Sequence, residues 1–300
     1  MFHRFLLMML LLSGSGQAVA EACPPEGWDK PSLVALKARQ FVVDDADERA
    51  RLAETLVPCL ADPDPELRDG VAYEAMSTWL RAEGLASAQV QALSAQLLAQ
   101  LEHPAVDPEG VAQPFAALLL SELARTDRIN PHFPDALRNR MLHSAEAYVA
   151  GMTDYRGFEE GLGWRHGVAH GADWIMQLAL NPAYDRAALE RLRAALLSQV
   201  PARGEHAYTD GESERLARAI LVLMHRSELD PVSWHQTLAT VSAPAPLPDW
   251  AAAFMSRRGL NQRHNVRLFL LALNLGVQRS TLADREALLH TIDAAIKASD

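Results

Sequence analysis

Several things are scarce in this chain, and each scarcity removes a class of protein. Only 2 of the 300 residues are cysteine, too few for a disulfide-built miniature fold and without the tight spacing of a zinc or redox motif. No apolar run reaches the roughly 20 residues that a membrane-spanning helix needs. The longest, Phe5 to Leu12, is far shorter. Strand-like alternation is almost missing. There is no nucleophile elbow, no phosphate-binding glycine loop and no Ser-His-Asp set. Positive charge is in deficit: 28 Lys and Arg against 38 Asp and Glu give a net charge of −10. Such a chain repels phosphate backbones and anionic lipid headgroups, so nucleic acid and a stable membrane span are not expected.

What is present begins with an export signal over residues 1–20. Arg4 supplies the positive start, Phe5 to Leu12 the apolar stretch, and Ala18-Val19-Ala20 the small-x-small cleavage pattern before Glu21. The expected address is the periplasm, with residues 21–300 as the mature protein. Both cysteines survive cleavage. An even count in an oxidising compartment predicts a disulfide between Cys23 and Cys59, with two buried thiols as the alternative. Ala20 and Glu21 do not suit a lipid-attachment signal at Cys23.

The mature chain reads as a train of helices. Asp64-Pro65 is an N-cap followed by proline at the first helical position, leading to a stop at Gly84. Ser87, Asp107-Pro108, Asp185 and Asp230-Pro231 mark further starts, while Asn181-Pro182 and Gly276 mark ends. The segment Leu56 to Arg68, with its Asp62-Pro63-Asp64-Pro65 turn, is similar to the helix–turn–helix junction of HEAT repeats. Helix pairs of that kind cannot bury their apolar stripes alone and stack into a solenoid. The expected fold class is therefore all-α, one HEAT-like α-α array over residues 21–300, with an irregular helical bundle as the alternative.

One stretch is unusually polar for a helix. With about 100° per residue and His166 at zero, His170, Asp173 and Gln177 fall within about 40° of it, and Trp174 flanks them. Trp164, Val168, Ile175 and Leu178 point the other way, toward a core. Before this helix runs a glycine-rich loop, Asp154-Tyr155-Arg156-Gly157-Phe158-Glu159-Glu160-Gly161. Together, the Asp-x-Arg-Gly-aromatic run, Gly-Trp-x-His and Ala-His-x-Ala-Asp resemble the signature of a bacterial family, domain of unknown function 2785. The resemblance implies an all-helical fold over most of the mature chain, the segment near Asp62 to Arg68 included. It carries no activity.

The stripe admits three readings. His166, His170 and Asp173 have the spacing to hold a divalent transition metal such as zinc, with water activated by Glu160 or Glu214, which would make a metal-dependent hydrolase. Gly167 stands where a His-Glu-x-x-His protease has its base, so that family is excluded. Alternatively, the imidazoles bond carboxylates or carbonyls where helices pack. The third reading is a metal-free binding groove of Asp154, Arg156, His166, His170, Asp173, Trp174 and Gln177, with Arg156 anchoring an acidic group of a protein or small-molecule partner. For the stripe itself packing is the first reading; for the function of the chain a periplasmic binding or interaction module leads, because no complete catalytic set accompanies the stripe. Arg263 and Arg267 on a later helix read as a solvated helix face, with the same groove as the alternative, and Ser144 and Ser213 read as surface or capping residues.

Overall fold

The computed structural model describes residues 23–299, so the export signal expected at residues 1–20 lies outside the described residues. Local side-chain chemistry starts many of the helices. Asp29 and Ser32 form a reciprocal cap on α1 (Lys30–Ala38), and Asp45 accepts from the Glu48 N–H at 2.8 Å on α2 (Ala46–Thr55). A 3₁₀ turn, Val57–Ala61, carries Cys59. Asp64 then caps α3 (Pro65–Leu67), which widens into a π-helical turn at Arg68–Tyr73 and resumes as α4 (Glu74–Arg81). α5 (Ser87–Glu102), α6 (Ala112–Ile129) and α7 (Asp135–Gly151) follow.

A short antiparallel hairpin, β1 (Phe158–Glu159) with β2 (Gly163–Trp164), precedes α8 (Gly167–Leu180). The chain ends with α9 (Arg186–Ser198), α10 (Glu212–Met224), α11 (Ser233–Val241), α12 (Arg257–Gln278) and α13 (Arg285–Ala298). The fold is an all-α helical array. None of the helices among the described residues is long and apolar enough to cross a membrane.

Two start and stop signals behave differently from expectation. Asp107 does not begin a helix. Its carboxylate accepts from the N–H groups of Gly110, at 2.9 Å, and Ala112, at 2.7 Å, folding a turn that delays α6 to Ala112. Gly276 lies inside α12, which continues to Gln278.

The helices pack in two rows. α4, α6, α8, α10 and α12 lie side by side in one; α5, α7 and α9, then α11 with α13, form the other. Trp79, Trp234 and Trp250 are core residues as expected, and Trp28 packs on the core's edge. α8 is flanked by α6 and α10 in its own row and backed by α7 and α9 of the other. Ten of its fourteen residues are consequently buried, and its polar side chains can only meet partners on neighbouring helices.

Cys23 and Cys59 form a disulfide across 36 residues of chain. It ties the N-terminal arm to the turn that leads into α3.

Candidate functional site

The polar stripe does not survive as one face. His166 is not helical: it sits at the N-cap of α8 in the left-handed region, φ 58°. That conformation is unusual for a residue with a Cβ. Its N–H donates to the Arg156 carbonyl at 3.3 Å, and its Nε2 donates to the Asp210 carbonyl at 2.8 Å. His170 Nδ1 donates to the Pro114 carbonyl at 3.1 Å. Asp173 is held by Arg215 and, at 2.7 Å, by Arg218, both from α10. Gln177 accepts from Arg128 of α6 at 3.3 Å. Trp174 is fully buried, 6.4 Å from the Tyr148 ring, with no partner for its Nε1.

The two imidazoles stay close, with ring centroids 5.8 Å apart, but Asp173 is turned to α10. His166, His170 and Asp173 therefore do not converge as a ligand set. Among the described residues no group of three or more His, Cys, Asp or Glu is placed to hold a metal ion. Glu160 and Glu214, the two carboxylates considered for activating water, are both exposed. The acid nearest His166 is Glu212, at 3.9 Å and almost fully buried. Burial pushes the Glu212 carboxyl above its ordinary value and pushes the His166 imidazole below its own.

Trp164 also departs from expectation. Its place in β2 leaves it partly exposed, packed between Phe158 across the hairpin, 5.1 Å away, and the His166 ring, stacked at 4.6 Å. Arg263 and Arg267 lie on α12, with α10 between them and α8. Arg263 lies over the Phe254 ring, and Arg267 donates to the carbonyl of Ile296 at the end of α13.

The glycine-rich loop is fastened from three directions. Asp210 accepts the Phe158 N–H at 3.0 Å, and a Cβ on Gly157 would stand 1.8 Å from the Asp210 carboxylate, so only glycine allows this approach. Arg165, 3% exposed, binds Glu159 at 2.8 Å and the Glu109 carbonyl. Arg68, wholly buried, comes from the π-helical turn. It donates to the carbonyls of Leu162 at 2.7 Å and Asp62 at 3.0 Å, and lies 4.7 Å over the Phe115 ring.

Fastened in this way, the loop becomes one wall of a cavity of about 620 Å³. Asp154, Arg156, Arg165 and Gly167 face Tyr148 and Ser144 of α7, Glu102 of α5, and Asp107, Gln113 and Pro114 around the start of α6. Asp154 and Arg156 bind each other, with Nη2 to Oδ2 at 2.6 Å. Burial raises the Asp154 carboxyl, but the hydrogen bonds from Arg156 outweigh it and hold the group below the usual carboxylate range. A Cβ on Gly110 would fall 2.4 Å from Arg156 Nη2, so the pair needs glycine opposite it.

A family model described as protein of unknown function (DUF2785) matches residues 97–275. The chain belongs to that family. The DUF2785 match runs from within α5 to within α12 and takes in the loop, α8 and every cavity residue named above. It leaves out Asp62 to Arg68, which the sequence resemblance was expected to include. No curated protein and no solved structure matches the chain.

Of the DUF2785 signature, Asp154 and Arg156 line the cavity directly, whereas His166 and His170 stand behind its wall; His170 holds Pro114 in place. Tyr148, Ser144, Gln113 and Glu102 escaped the sequence reading because their helices reach the site only through packing. Ser144 is not a surface residue: it is buried and donates to Glu102 at 3.1 Å. Ser213 is likewise buried. Arg165 carried one available signal, its position between Trp164 and His166.

The buried imidazole has a measurable consequence. Burial lowers His170 from 6.5 to about 3, so it stays neutral in the fold while the unfolded chain protonates below 6.5. In that window the unfolded state binds more protons, and stability falls with pH by up to about 1.4 kcal/mol per unit. Glu212 acts in the opposite sense, its contribution being lost as pH rises through its raised value. The His170→Asn variant, whose amide N–H replaces the Nδ1 donor, is expected to flatten the loss of unfolding free energy between pH 6.5 and 4. Urea titrations at several pH values check this; an unchanged slope would show that His170 does not carry the effect.

Proposed function

We propose that this DUF2785 protein is an exported binding module that takes a small ligand bearing an acidic group into the cavity beside the signature loop. The observation carrying the proposal is the hydrogen-bonding balance of the cavity wall. Its carboxylates already have donors from the chain itself: Glu102 from Arg140 and Ser144, Asp107 from two backbone N–H groups, Asp154 from Arg156. Donors remain beside them. Arg156 retains Nη1, Gln113 retains its amide, and the N-terminus of α8 opens at Gly167 with no side-chain cap. The partial positive charge of a helix N-terminus and a guanidinium favour an anion.

Export to the periplasm is part of the same proposal. It rests on the Arg4, Phe5–Leu12 and Ala18–Ala20 pattern and fits the Cys23–Cys59 disulfide.

Calorimetry on residues 21–300 with matched pairs of a dicarboxylate and its diamide, such as succinate and succinamide, together with inorganic phosphate, tests the reading. At least one acid is expected to bind while its amide does not. Arg156→Gln, with helicity intact by circular dichroism, is expected to weaken that acid at least tenfold, as loss of a charge-assisted hydrogen bond of about 1.5–3 kcal/mol requires. Equal binding of acid and amide, or affinity untouched by Arg156→Gln, would overturn it.

A further inference from the structure

The second row of helices is interrupted once. α9 packs on α7 and α11 on α13, but α9 and α11 are spread apart. The gap holds a separate groove of about 570 Å³, floored by Gln262 and the buried Val266 of α12. Its size suits a small organic ligand, and it shares no lining residue with the signature-loop cavity.

The groove's hydroxyls have a shared character. Each hydroxyl has one proton, and here the chain uses it. Ser198 donates to the Ala195 carbonyl at 2.7 Å, Thr237 to Ser233 at 2.9 Å and Thr240 to Gln236 at 2.9 Å. Gln262 directs its amide N–H groups to the carbonyls of Pro244, at 3.0 Å, and Ala245, at 2.8 Å. What these groups still present are oxygen lone pairs. Glu190 adds a carboxylate at the rim, where one oxygen accepts from Arg186 at 2.9 Å and the other is open. Arg193 is drawn aside, 5.1 Å over the Trp234 ring and bonded to Ser233 Oγ at 3.0 Å. Gln236 offers both a donor and an acceptor. The remaining surface is apolar, contributed by Ala194, Leu197 and Val241 among others.

We propose that this groove is a second binding site, for an amphiphile with an apolar body and a protonated amine head. The apolar floor takes the body. The hydroxyl oxygens and the open Glu190 oxygen accept from the ammonium, whose three N–H donors match a wall richer in acceptors than in donors. A carboxylate head of the same length meets lone pairs and is refused, since a desolvated anion without donors is costly.

The test is calorimetry on residues 21–300 with octylamine and octanoate at neutral pH, the two differing only at the head. Octylamine is expected to bind at least tenfold more tightly. Shortening it to hexylamine should weaken binding by about fourfold per methylene, the equivalent of about 0.8 kcal/mol each. The Thr237→Val/Thr240→Val double variant keeps the volume and removes two acceptors; it should weaken octylamine at least fivefold and leave octanoate unchanged. Glu190→Gln, which also releases Arg186, should weaken the amine too, with helicity checked by circular dichroism. Equal or tighter binding of octanoate, no saturable binding of octylamine, or amine affinity indifferent to both variants would overturn the proposal. Arg156→Gln should not alter amine binding, which separates this site from the signature-loop cavity.

Discussion

Replacement of Arg68 by alanine is expected to lower the unfolding free energy by about 3–5 kcal/mol, the cost of removing one partner from a buried charged network. Arg68 is completely buried and bonds carbonyls on both sides of itself, Asp62 in its own turn and Leu162 in the hairpin, 94 residues away. Alanine leaves the Leu162 oxygen dry and unpaired and opens a void against Phe115. Arg68→Lys keeps the charge but not the planar fork that reaches two carbonyls at once, so it should recover less than half of the loss. Urea denaturation measures both. The change should also appear in Trp164 fluorescence, because the Trp164 carbonyl lies 3.5 Å from the same guanidinium. A loss under about 1 kcal/mol for alanine would mean that the hairpin is held by Asp210 and Arg165 without Arg68.

Removing the disulfide with the pair Cys23→Ala/Cys59→Ala should cost about 4 kcal/mol. That is the chain-entropy value for a closed loop of this size. Cys59 is fully buried, so the variant also loses packing, and replacing both residues avoids a stray thiol. The denaturation midpoint of the variant should match that of the wild type under reducing conditions. A variant as stable as oxidised wild type would refute a stabilising role for the bond. Both changes act on the same region, since Cys59 and Arg68 flank the Asp62 to Pro65 turn, and their costs are not expected to add.

Much of the fold was legible where the chemistry is local. Asp64, Asn181 and Asp185 punctuate helices because their own side chains or a following proline decide the matter within a turn. Asp107-Pro108 misled for an equally local reason, as Asp107 commits both oxygens to the turn that precedes α6. The polar stripe shows the limit of periodicity. An angle on a helical wheel says which residues share a direction, not what stands opposite, and α8 meets four different helices, α6, α7, α9 and α10. Its phase also fails at His166, whose left-handed backbone is imposed by bonds to Arg156 and Asp210 from elsewhere in the chain. Asp154 and Arg156 were readable as a pair because a single residue separates them. The cavity they line was not readable, since α5, α6 and α7 are brought to it only by tertiary packing.

Helices α7 and α9 have a further consequence as a pair. They pack directly on one another and are pinned together by Arg191 and Glu146, yet α7 lines one cavity and α9 the other. The pair is thus a partition between two compartments. An occupant that displaces the partition from one side changes the work of filling the other, and linkage makes that coupling free energy identical in both directions. A rigid partition would leave the two compartments blind to each other. The stiffness of one helix pair therefore sets whether this chain behaves as two independent receptacles or as a single device with two inputs.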